Sequence, residues 1–367
     1  MPQLPRLRAA MALVLGLSLL FAACANEAPA RGWSAPVVVS NSGDELVVVI
    51  QSAPGTLTEL AITNTSTAER WTYPAKDDKT RLEAIYATPI VRAGRLIVAA
   101  YSRDLLALDL ASGRPIEGWG GKLEGRVVAD PVVVTPALMF VASDHAAVQP
   151  VDLDSGTIYP SKVEAGDRLY GAGLHVGNSV YYGTLDKRLF AVDATSAAPQ
   201  WQVSTAPLLS GAASASSDVV IGSLDDRVRA YSAADGSERW SFAADEWFWA
   251  TPLVAGGTVY AIDLDGRAFA LDASTGAERW RSALARGNVR ASPVLAGGVL
   301  VSATEAGLIF GLDPATGNEV WSTQASASRL LAAPTVVESG ILFATDSGAL
   351  LRVNPASGAL ETLYTHK

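Results

Sequence analysis

The chain has 367 residues, 49% of them hydrophobic and only 18% charged. That balance excludes a disordered chain and supplies enough apolar surface for a sizeable core. A net charge of −9, with no run of Lys and Arg, argues against a nucleic-acid partner, because neutralising phosphates needs clustered basic groups.

At the start of the chain, Arg6 and Arg8 precede an apolar run from Ala9 to Ala22. The run is short for a mature transmembrane helix and has the layout of an export signal. It closes on Phe21-Ala22-Ala23-Cys24, and Cys24 is the sole cysteine. Two small residues before a lone cysteine resemble a bacterial lipoprotein signal, which implies lipidation of Cys24 after cleavage. Residues 1–23 are thus expected to be a signal peptide, 24–32 a flexible tether and 33–367 the folded part. A chain with no other cysteine has no internal disulfide, so packing must supply its stability.

Beyond the tether the chain repeats itself. Ala250 to Trp280 shows the unit most clearly. Ala250-Thr-Pro-Leu-Val254 reads as a strand. Thr258 to Asp263 and Arg267 to Asp272 are two more, joined through Asp265-Gly266, read as a type I′ hairpin. Asp272 to Gly276 is a turn in which the carboxylate accepts local N–H groups and glycine takes a left-handed conformation. Glu278-Arg-Trp280 opens a fourth strand. No stretch has sustained helical periodicity.

Aligning on the turn Asp, the Gly four residues later and the Trp four after that finds the same frame elsewhere. Asp313, Gly317 and Trp321 fit, as do Ser232, Gly236 and Trp240. Asp193 and Trp201 fit around Ala197, and Asp109 and Gly113 fit with Trp119 two residues late. Asp152 and Gly156 end in Pro160, and Asn354 and Gly358 end in Thr362. Thr63, Thr67 and Trp71 form a degraded first copy. A small residue followed by proline opens most repeats, from Ala35-Pro36 to Ala333-Pro334. The period is about 41 residues, inside the range of four-stranded propeller blades. The expected fold is an all-β, eight-bladed propeller of four-stranded antiparallel blades, or a seven-bladed one if the first copy is not a blade.

The unit V-Y-A-x-D-x-D-G-x-x-x-A-L-D-A-x-T-G-x-x-x-W resembles the pyrroloquinoline-quinone (PQQ)-like propeller repeat, found in quinoprotein dehydrogenases and in BamB-type outer-membrane assembly lipoproteins. The resemblance spans about residues 33 to 366. It implies the ring and leaves function open, since many proteins carry the repeat without a cofactor.

Trp71, Trp119, Trp201, Trp240, Trp280 and Trp321 read as blade-packing residues rather than a ligand box, because one large ring per repeat at fixed spacing is what adjacent blades need. Asp263-x-Asp265-Gly266 lacks the remaining ligands of a calcium loop and reads as a turn. His145, His175 and His366 stand apart from one another, so no metal centre is expected. Nor does any nucleophile elbow or phosphate loop appear. Quinoprotein dehydrogenases place a vicinal disulfide over the quinone, which this chain cannot form. The reading is therefore a non-enzymatic, cofactor-free, monomeric binding platform for a protein partner, held at a membrane by lipid.

Individuality lies in the segments between repeats. Asp245-Glu-Trp-Phe-Trp249 puts Trp247, Phe248 and Trp249 outside the repeat frame, as candidate anchors for a partner. Arg290, Arg329 and Arg168 occupy comparable connections and could meet an acidic group. In BamB-type proteins a mid-propeller connection carries a Leu-x-Leu-Arg type segment that touches the assembly partner. The nearest match, Ala206 to Gly211, keeps leucines at Leu208 and Leu209 without the arginine. A BamB-like assembly role is one alternative, and a PQQ- or sugar-binding propeller, or an oxidoreductase of quinoprotein type, is the other.

Overall fold

In the computed structural model, residues 32–283, 286–325 and 328–366 are described. Residues 1–31, Cys24 among them, lie outside that range. Strands of two to nine residues, most of them rich in valine, isoleucine, leucine or aromatic residues, alternate with tight turns, many of which carry glycine. The result is eight four-stranded antiparallel sheets, each built from four strands consecutive in sequence. They occupy residues 37–73, 90–122, 132–164, 174–204, 208–243, 253–281, 294–324 and 335–364, and form the eight blades of a propeller.

The degraded first copy is a full blade. It holds the longest strand, Glu45–Ala53, paired with Thr56–Ile62. The late position of Trp119 is absorbed by a loop, which leaves a two-residue fourth strand at Gly121–Lys122. One turn differs from expectation. Only Gly266 of the Asp265-Gly266 pair has positive φ (+82°), so that hairpin is not type I′. The type I′ requirement is met instead at Gly256-Gly257 (φ +55° and +71°), between the first and second strands of that blade.

The core runs between neighbouring sheets. Blades seven and eight, for example, share a cluster that includes Val301, Ile309, Trp321, Ile341 and Phe343. The ring closes without strand exchange. Leu46, Val48, Ile50, Leu60 and Ile62 of blade one pack with Leu342 and Leu350 of blade eight. The Thr335 hydroxyl donates to Pro36 O at 2.7 Å, and the Tyr364 hydroxyl to Glu69 Oε1 at 2.7 Å.

Where the first strands open, one blade clamps the next. The N–H of Gly211 donates to Thr251 Oγ1 at 3.0 Å, and that of Thr251 to Ser292 Oγ at 3.1 Å. In blade two Thr88 N donates to Asp130 Oδ1 at 2.6 Å. Burial pushes the Asp130 carboxyl upward, and these bonds from Thr88 oppose it. At Asp130, Thr251 and Ser292 the residue before proline is thus a side-chain acceptor for its neighbour.

Strand direction sorts the loops. The connections between blades and the second hairpin of every blade gather at one end, called the funnel end below. First hairpins and the Asp-to-Gly turns gather at the far end. Backbone bonds stitch the funnel end together: Leu264 N to Trp247 O at 2.7 Å, Val289 N to Leu264 O at 2.9 Å, and Asp346 N to Arg329 O at 3.0 Å.

Candidate partner-binding face

The connection after blade five supplies Trp247, Phe248 and Trp249, and the structure separates them. Phe248 is fully buried and its ring lies 5.9 Å from that of Phe269, inside the core between blades five and six. It is withdrawn from the partner face, because a side chain with no accessible surface cannot meet a partner. Its place beside Gly222, where a Cβ would come within 2.5 Å of Phe248, explains why a glycine interrupts the second strand there. Trp247 and Trp249 are half-buried.

Trp249 begins a chain of contacts that crosses three blades. The Arg290 guanidinium sits 4.5 Å from the centre of the Trp249 ring. Arg290 Nε faces Glu305 Oε2 at 3.4 Å, Glu305 Oε1 faces Arg329 Nη1 at 3.2 Å, and Arg329 Nε faces Asp346 Oδ2 at 3.4 Å. Arg290 and Arg329 therefore do meet an acidic group, but it belongs to this chain. Glu305 is largely covered, while Arg329 keeps half its side chain exposed. Arg329 is thus held in place with donors to spare, as suits recognition of a partner group.

Arg168 belongs to another arc of the funnel end. Its Nε lies 3.7 Å from Asp167 Oδ1, and its Nη1 donates to the Tyr170 hydroxyl at 3.5 Å. Arg126 stacks over Tyr101 at 4.8 Å and donates to that hydroxyl at 3.1 Å. Asp144 acts electrostatically on Arg126, Arg168 and Tyr170 alike. Burial raises the Tyr170 phenol above its usual range, so it stays protonated at neutral pH. Trp33, Tyr86 and Tyr101 continue the arc, edge to face, with centroids 4.5 and 5.2 Å apart.

Sequence reasoning missed Trp33, Tyr86, Tyr101, Tyr170 and Arg126, although a signal was present. Three residues before each opening proline the repeats read Trp33, Tyr86, Val128, Trp249, Arg290 and Leu331, with Tyr170 in the same place before Gly173. That column carries aromatic side chains in four blades. The nearest match to the Leu-x-Leu-Arg segment departs further from it: Leu208 is buried among Leu189, Ile221 and Tyr231.

The remaining polar residues are structural. Asp263 Oδ1 accepts from Arg267 N at 2.8 Å and closes its hairpin. Asp272 accepts from Ser274 and Thr275 and from Arg279, which together hold its carboxyl well below the usual range. Among the described residues no group of acidic residues and histidines could hold a metal ion. His145 is exposed in its hairpin, and His175 Nε2 lies 3.0 Å from Gly177 O.

The sequence profile described as "Outer membrane protein assembly factor BamB" matches residues 24–162, 185–281 and 256–365. The chain belongs to the BamB family. The crystal structure of BamB from Moraxella catarrhalis superposes with a TM-score of 0.69 at 15% identity, over 91% of this chain and 98% of that one. The computationally designed Ika8 protein superposes with a TM-score of 0.71 at 12% identity, over 87% and 95%. At such identities these likenesses concern the fold. No curated protein sequence matches the chain.

Proposed function

We propose that this protein is an exported, lipid-anchored BamB-family propeller that works without catalysis, as a rigid platform presenting its funnel mouth to a protein partner. Membership of the BamB family supports an extracytoplasmic, membrane-associated protein that acts through protein contacts. The observation that carries the reading is the column at the funnel mouth, where the half-buried Trp33, Tyr170, Trp249 and Arg290 stand in equivalent places and Tyr86, itself buried, packs behind Trp33. Tryptophan, tyrosine and arginine are the residues most enriched at interaction hot spots. Backbone bonds and ion pairs hold them in place beforehand, which lowers the entropy cost of docking.

A photo-crosslinking residue at position 170 or 249, expressed in the native host, tests this. A discrete protein adduct from those sites and none from position 315, on a far-end turn, is the expected result. Equal labelling from all three would overturn it. Replacing Cys24 with Ser should release the protein from the membrane fraction; retention would contradict the anchor.

An outer-membrane assembly role like that in the family's description is the more specific form of this reading. It requires an outer membrane in the source organism and an adduct with an assembly component. The quinoprotein reading predicts a spectral change and a raised Tm on adding PQQ with calcium, because ligand bound only to the native state stabilises it.

A further inference from the structure

The two ends of the ring differ in charge, and the chain enters at one of them. All five described lysines, Lys76, Lys79, Lys122, Lys162 and Lys187, lie at the funnel end. Lys122 and Lys162 show the pattern, ion-paired there with Asp104 and Glu124 at 2.8 and 2.6 Å. At the funnel end basic and acidic side chains are nearly matched. Among the described residues at the far end, acidic groups outnumber basic ones by more than two to one, and there is no lysine. The turn carboxylates Asp109, Asp152, Asp193, Asp272 and Asp313 contribute much of that excess.

The folded part also begins at the funnel end. Trp33 N donates to Ile85 O at 3.1 Å, and its ring packs on Tyr86 at the opening of the innermost strand. From Cys24 to Gly32 the chain covers at most about 30 Å when fully extended. Bringing the far end to a membrane around the outside of the ring would have it cross a four-stranded blade, with strands about 4.8 Å apart, and then descend a strand length of about 20 Å. That path exceeds the tether's full extension. Carboxylates facing an anionic lipid surface would add repulsion within a Debye length of about 8 Å.

We infer that the ring stands with its funnel end toward the membrane and its acidic end away from it, an orientation that rests on the lipid-anchor reading above. Any partner at the mouth docks in a gap no deeper than about 30 Å, set by the tether.

The test uses lipidated full-length protein in vesicles of phosphatidylethanolamine and phosphatidylglycerol containing a nickel-chelating lipid. Once Cys24 carries lipid, an introduced cysteine is the only thiol that takes a spin label. Asp77→Cys marks the funnel end and Ala315→Cys the far end. Both positions are exposed. Headgroup nickel should enhance relaxation of the Asp77→Cys label several-fold more than that of the Ala315→Cys label. Equal or reversed enhancement in protein that floats with the vesicles would overturn the orientation alone. Failure to float would overturn the lipid anchor and the orientation with it.

Discussion

Trp240 docks against Gly276 across the boundary between blades five and six, and the glycine makes the room for its ring. The indole Nε1 donates to Ala273 O at 3.1 Å, and a Cβ added at Gly276 would stand 2.5 Å from the ring. The same arrangement joins Trp71 to Gly113, Trp119 to Gly156, Trp201 to Gly236, Trp280 to Gly317 and Trp321 to Gly358. Each tryptophan therefore docks on the turn of the following blade. The two exceptions follow from this rule. Blade three ends in Pro160, and the turn it faces in blade four carries Ala197. Blade eight ends in Thr362, and the corresponding place in blade one is Thr67. Where the ring is missing, the glycine that makes room for it is missing too.

Gly276→Ala should therefore lower stability by about 2 kcal/mol, through the clash with Trp240 and the strain of φ +70°. Ala197→Gly should raise it by up to about 1 kcal/mol, because Ala197 holds φ +58° with no tryptophan opposite. Denaturant unfolding of both variants checks the pair. Equal effects of the two substitutions would refute the docking rule.

Asp263 gives the fold a defined pH dependence. Its carboxyl is pushed up to about 6, chiefly by burial, with Asp265 and Glu246 adding to the effect. A raised folded-state value means the native protein holds more protons than the unfolded chain between about pH 4 and 6. Stability is therefore lost as pH rises through that window. Thr184, Thr304 and Thr345 close their hairpins at the equivalent place through Oγ1, accepting from Arg188, Leu308 and Ala349. Asp263→Thr should keep the bond and gain about 1–2 kcal/mol at pH 7.5, with little change at pH 4. Parallel stability curves for the two proteins would count against this.

Tyr182 explains why blade four lacks the opening proline. A Cβ at Gly173 would stand 2.4 Å from the Tyr182 ring, so the ring occupies the space that a side chain would need. Its hydroxyl is buried with no partner among the described residues, and burial pushes the phenol far above its usual range. Tyr182→Phe should therefore stabilise by about 1 kcal/mol, and Gly173→Pro should destabilise unless Tyr182 is also made small. Thermal unfolding of the single and double variants reads the coupling. Additive losses would show that the two sites are independent.

The ring was legible in the sequence because its period is carried by turns, where Asp, Gly and Pro have conformational roles that other residues fill poorly. Blade one needed the structure, since Thr63 and Thr67 replace the turn residues while the strands remain apolar. The funnel mouth was half legible. Trp249, Arg290 and Arg329 stood out as departures from the frame. Trp33, Tyr86 and Tyr170 did not, because each is a lone aromatic in its connection, whereas Trp249 has Trp247 and Phe248 beside it. Phe248 misled because exposure cannot be read from adjacency: its neighbours on both sides are half-open, and it turns inward onto Phe269.

That contrast sets a further prediction. Phe248→Ala should cost about 3–5 kcal/mol as a core cavity, whereas Trp249→Ala should cost far less. A comparable loss from Trp249→Ala would place that ring in the core as well.

Partner capture at the funnel mouth tests the central claim most directly. Lipidated protein and its Trp249→Ala, Arg290→Ala and Tyr170→Ala variants are each recovered from native membranes, with bound partner quantified and Tm measured in parallel. Partner recovery should fall at least about tenfold for one or more variants, as expected of a hot spot worth about 1.4 kcal/mol or more, while Tm shifts by only a few degrees. Unchanged recovery from all three, with Tm intact, would contradict the claim that this face is where the protein binds.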